Sequence, residues 1–146
     1  MDYLHTHPDA VIQFHASEMI IYIEYDAAYL VLPQACSRVS SIFYLSNATP
    51  GRPLLNRAIQ VICKTLKNVV SSAAKAETGG IFIGGQQAVP IITALSELNH
   101  PQPASGTRTS NDNSTAKGVL TAKLRQKLSK ALDMRYWWIK DRIKQH

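Results

Sequence analysis

Residues 19–25 read MIIYIEY, a β-branched and aromatic run bounded by polar positions, and a run of this kind predicts a strand. Residues 39–45 (VSSIFYL) and 58–65 (AIQVICKT) predict two more, with NATPGR at 47–52 supplying turn chemistry between them. Three neighbouring strands joined in this way predict an antiparallel meander. The character changes at Val70, after which small residues dominate and Ser71 and Ser72 are placed to cap a helix, expected over 72–87. Pro90 suits the first turn of a second helix running to Asn99, and Pro101 prevents its continuation. The segment HPQPASG reads as a loop. Residues 107–111 form a short extended stretch, DNS a turn, and 129–144 a last helical region. Three strands, two helices, a strand and a helix predict an α/β domain with helices packed on a sheet.

A chain of 146 residues holds one comfortable domain, so 1–146 is read as a single unit, with 1–17 an N-terminal connection and 18–146 the core. With 45% hydrophobic and 18% charged residues, the composition is globular and not that of a disordered tail. Apolar stretches such as 19–23 fall far short of the roughly 18–20 residues a membrane span requires. The N-terminus MDYLHTHPDA lacks the cationic and apolar regions of a secretory signal, so the expected setting is intracellular, with no membrane partner. Cys36 and Cys63 form no CxxC pair, which argues against a zinc ribbon or disulfide scaffold; both are expected reduced and at least partly buried.

The net charge of +6 is unevenly spread. No Lys or Arg precedes Arg38, while that stretch holds Asp2, Asp9, Glu18, Glu24 and Asp26; residues 117–144 carry nine of the sixteen cations against Asp133 and Asp141. This polarity suits a polyanion held by the basic segment and presented to carboxylates elsewhere, and it equally fits a solvated basic helix. Three carboxylates fall where the element order draws them together: Asp26 at the end of the first strand, Glu77 within the first helix, Asp112 after the fourth strand. If the fourth strand runs parallel to the first, the two aspartates emerge at one edge, and a helix across that face delivers Glu77. Carboxylates this close repel unless a cation neutralises them, and hard oxygen ligands select magnesium or manganese. Two such ions activate a water and stabilise the leaving oxygen of a phosphodiester.

The segments EYDAAYL, SSAAKAETGGIF, SNDNSTAKGVL and SKALDMRYWWIKDRI resemble, in order and at similar separations, the motifs of the ribonuclease H domain in copia-type retrotransposon polyproteins. The resemblance spans about residues 2–146. It implies a ribonuclease H-like mixed sheet, three antiparallel strands plus a fourth beside the first, with helices on its faces. It also implies metal-dependent hydrolysis of the RNA strand of RNA/DNA hybrids, with Asp26, Glu77 and Asp112 as catalytic metal ligands. In that family the RYWW-like helix is followed by a fifth strand and a last helix that adds a fourth aspartate, whereas this sequence ends at His146. The expectation is therefore an incomplete two-metal site, and the family's upstream polymerase region is absent as well. The alternative is an inactive retroelement fragment that keeps the fold and at most binds nucleic acid.

Around these three, other residues carry weaker signals. Asn113 is placed to touch a ribose hydroxyl or to stabilise its turn, and Lys117, Lys123 and Arg125 to contact phosphates. Glu24 shares a strand face with Asp26, as an accessory ligand or an ordinary exposed residue. His5 and His7 lack further ligands at matching spacing and read as surface or packing residues. Trp138 is expected in the core, with Trp137 left open between core and stacking on nucleic acid. Gly79, Gly80, Gly84 and Gly85 each cost about 1 kcal/mol relative to Ala inside a helix, which reads as relaxed selection except where they allow close packing.

Overall fold

The structure, a computed structural model, describes residues 5–47, 56–103, 138, 139 and 141, together with the backbone of Arg108–Ser110. It is α/β. Strands β1 (Ile20–Leu32), β2 (Cys36–Ser46) and β3 (Ala58–Leu66) form the antiparallel meander, and helix α1 (Ala73–Glu97) follows. The three residues Arg108–Ser110, β4, pair in parallel with Tyr22–Glu24 of β1, giving the sheet order β3-β2-β1-β4.

Alternation along β1 explains the layering. Ile21, Ile23 and Tyr25 point to one face and join Phe43, Ile62, Ile81, Ala88, Ile92 and Leu95 in the main core, so α1 lies across that face. Ile20 and Tyr22 point to the other, where Tyr22 stacks on Tyr44 at 5.7 Å between ring centroids. Ser72 caps α1, its hydroxyl accepting from the Lys75 N–H at 3.3 Å. Trp138 is half-buried and meets Phe82 edge-on at 5.1 Å, and Ile139 beside it is buried in the main core. Trp137 and most of the last expected helix lie outside the described residues.

Four expectations need correction. First, β1 continues to Leu32, so Asp26 sits within a strand and not at its end. Tyr29 and Val31 are good strand formers, and β2, beginning at Cys36, supplies the partner; the ladder shifts only between Ala28 and Leu32, where Leu30 has φ 54°. Second, the two expected helices are one. Pro90 removes a helical N–H at an interior position, a cost of about 3 kcal/mol in general. Ala88 before it and Ile92 and Leu95 after it enter the same buried cluster, so packing carries α1 through. Third, two of the four glycines of α1 are close-packing positions, because a Cβ on Gly79 would meet Leu66 at 3.1 Å and one on Gly84 would overlap the Tyr25 ring, whereas a Cβ on Gly80 would make only ordinary contacts. Fourth, Cys63 is exposed on β3 while Cys36 is half-buried. No helix among the described residues is long and apolar enough to cross a membrane.

Candidate functional site

The sheet topology decides where the three predicted carboxylates stand. Asp26 is exposed in the middle of β1, opposite Ser40 of β2, whose hydroxyl donates to the Asp26 carbonyl at 3.5 Å. Glu77 lies in the first turns of α1 and is only 5% exposed, in a stretch where Ala76, Thr78, Gly79, Gly80 and Ile81 are buried too. The helix crosses close to the strand here: a Cβ on Gly80, three residues beyond Glu77, would stand 3.5 Å from Val39 and 3.9 Å from the Asp26 carbonyl oxygen. The main chain of Asp26 is thus brought beneath the helix within one turn of Glu77.

The side chains do not follow. The β1–β2 register runs unbroken from Ile20 to Ala28, so Asp26 shares the face of Tyr22 and Glu24, whereas Tyr25 and α1 occupy the other. The expectation that one face presents Asp26 and receives Glu77 is corrected by this pairing. Glu24 does share the face of Asp26, and its carboxylate accepts from the Tyr44 hydroxyl at 3.2 Å, which gives it a packing partner of its own.

Between α1 and β4, the expected loop contains a residue whose part in the site had no signal in the sequence. Gln102 behaves as one link of a strand: its Oε1 accepts from the Ile21 N–H at 2.9 Å, and its Nε2 donates to the Met19 and His100 carbonyls, each at 3.0 Å. These bonds occupy the edge of β1 just before the β4 pairing takes over at Tyr22, and so help to fix where the returning chain meets β1. In that pairing Ser110 stands level with Glu24. Asp112 follows Ser110 by two positions in sequence, as Asp26 follows Glu24. Asp112 itself, with Asn113, Lys117, Lys123 and Arg125, lies outside the described residues.

Two neighbouring features bear on the chemistry. Among the described residues no group of three or more His, Cys, Asp or Glu is gathered as a metal would need, and His5 and His7 are exposed, with His7 Nδ1 at 2.9 Å from the Thr6 hydroxyl. Behind Asp26, burial pushes the Tyr25 phenol far above its usual value. The unfolded chain releases that proton near pH 10 while the folded chain keeps it, so the folded state binds more protons and stability falls as pH rises. Relative to Tyr25→Phe, the protein is expected to lose about 1.4 kcal/mol per pH unit above about pH 10, measured by urea unfolding at a series of alkaline pH values. Parallel slopes for the two proteins would show that Tyr25 ionises in the folded chain.

Compared with protein-family models, with curated proteins and with solved structures, the chain gives no match.

Proposed function

We propose that the chain is a ribonuclease H-like domain of the copia-type retrotransposon class, a magnesium- or manganese-dependent endonuclease directed at the RNA strand of RNA/DNA hybrids. Asp26, Glu77 and Asp112 are its carboxylates. The observation that carries this reading is the crossing of α1 over β1, with buried Glu77 one turn from the point where the helix passes the Asp26 main chain. The sheet order β3-β2-β1-β4, antiparallel through the first three strands, and the four ordered sequence motifs support it.

The donor set suits hard divalent cations, being all carboxylate oxygen. Such cations, when bound, activate water and neutralise the leaving oxygen of the phosphodiester. For Asp26 and Glu77 to serve one ion, Asp26 must turn to the helix side, which takes a one-residue shift in the β1–β2 ladder before Asp26. Between Ala28 and Leu32, β1 already carries two residues more than β2, so this places one of them earlier in the strand. The protein's other tasks fall to the basic segment 117–144, which holds backbone phosphates, and to Asn113, which meets the ribose hydroxyl that distinguishes RNA from DNA.

The placement of Asp26 and Glu77 on opposite sides of β1 favours a second reading, a domain that keeps the fold and binds nucleic acid without cutting it. A labelled RNA/DNA hybrid, offered with magnesium and then with manganese beside a DNA duplex of the same sequence, separates the two. Metal-dependent cutting of the RNA strand alone supports the nuclease. Salt-sensitive binding without cutting by folded protein supports the second reading.

A further inference from the structure

The first described segment leaves an apolar surface bare. Val11 is 79% exposed, Ile12 76% and Phe14 58%, and residues 10–19 join no ladder. The segment is nevertheless tied down at its base: the His15 N–H donates to Asn56 Oδ1 at 3.1 Å and Asn56 Nδ2 donates to the His15 carbonyl at 2.9 Å. Asn56 is itself buried, immediately before β3. So an apolar arm is anchored beside the start of a strand.

That strand is also uncovered. Among the described residues β3 ends the sheet, with its outer edge unpaired, and Ile59 and Val61 on it are exposed, Val61 at 63%. An apolar edge with unpaired main-chain groups is a template for one more strand. The charges flanking the two surfaces also match, with Asp9 just before the arm and Glu18 beyond it. Residues 1–18 contain Asp2, Asp9 and Glu18 and no Lys or Arg, while residues 57–67 contain Arg57, Lys64 and Lys67 and no acid. Within a single chain the arm leaves that edge bare, whereas a two-fold exchange covers both surfaces twice.

We infer that the arm, residues 10–14, adds as a strand to the β3 edge of a second copy of this chain, giving a reciprocal dimer. The pairing is main-chain hydrogen bonding along β3, with Ile12 and Phe14, which share one face of an extended arm, covering Ile59 and Val61, and with the acids that flank the arm set against the basic residues in and beside the strand. Dimerisation therefore weakens with added salt.

Sedimentation equilibrium of the whole chain over a wide concentration range, with Val61→Asp and Phe14→Lys, each of which removes an apolar contact and opposes the charge match, tests this. Both positions are exposed, so thermal unfolding of the variants should match the wild-type monomer. The expected result is a wild-type dimer that dissociates on dilution, with a dissociation constant weakened roughly tenfold or more by each substitution. A monomer at every concentration overturns the inference, as does a dimer indifferent to both substitutions. Arm amides protected from hydrogen exchange in dilute, monomeric protein would mean that the arm closes on its own edge, and that also overturns it.

Discussion

Asp26→Asn and Glu77→Gln are each expected to lower metal-dependent cleavage of the RNA strand by on the order of 100-fold or more, about 2.7 kcal/mol of transition-state stabilisation. Both changes keep the size of the side chain and remove its charge, so what they take away is the capacity to hold a divalent cation. Their side effects should differ. Asp26 is exposed, and its amide variant should unfold within about 0.5 kcal/mol of wild type. Glu77 is buried under α1, so Glu77→Gln needs its folding checked before its activity is read. The readout that separates a ligand from a structural residue is the metal dependence: a lost ligand raises the metal concentration needed for half-maximal cleavage, whereas a structural fault lowers activity at every metal concentration. Cleavage by either variant at the wild-type rate and metal requirement would remove that residue from the site.

Gly84→Ala is expected to destabilise the fold, with a net loss of about 1–3 kcal/mol, although Ala is the better helix former by about 1 kcal/mol. The helix lies so close to β1 and β2 at this point that a methyl group would overlap the Tyr25 ring and stand 2.7 Å from Ser41 Oγ. Neither neighbour can easily yield, since Tyr25 and Ser41 are both buried in the sheet beneath the helix. Gly85→Ala is the control one residue along. Among the described residues its Cβ would meet only Trp138, at 3.4 Å, so the helix-propensity gain should survive as an increase in stability of up to about 1 kcal/mol. Urea unfolding of the two variants should therefore move the midpoint in opposite directions. Movement in the same direction would mean that the close approach at Gly84 is not what the glycine is there for.

The sequence made the alternation of 19–25 plain, and with it the sheet: Ile21, Ile23 and Tyr25 face the helix as a period-two reading requires. Ser72 announced the start of α1 equally clearly. Where local signals misled, tertiary packing outweighed them. Pro90 resembles a helix start because its ring fits a first turn, but Ala88, Ile92 and Leu95 gain enough burial on one continuous helix to keep it whole. Asp26 resembles a strand end because it is the polar residue that closes the run 19–25, yet pairing with β2 extends the strand past it. Which glycines of α1 allow close packing is not legible in the sequence, and the sheet beneath the helix singles out Gly79 and Gly84. Gln102 could not be read at all, since a side chain that substitutes for strand hydrogen bonds leaves no periodic trace. For the carboxylates, sequence order located Glu77 on a sheet-covering helix, but the side of β1 on which Asp26 stands depends on a single residue of register.

That register makes metal binding the sharpest question. Titrating manganese into the folded wild-type chain and into Asp26→Asn, Glu77→Gln and Asp112→Asn, with free manganese followed by electron paramagnetic resonance, asks directly whether the three carboxylates act as one site. Saturable binding that each substitution weakens is the predicted result. A binding curve that none of the three substitutions alters, or a wild-type chain that takes up no manganese, would contradict it.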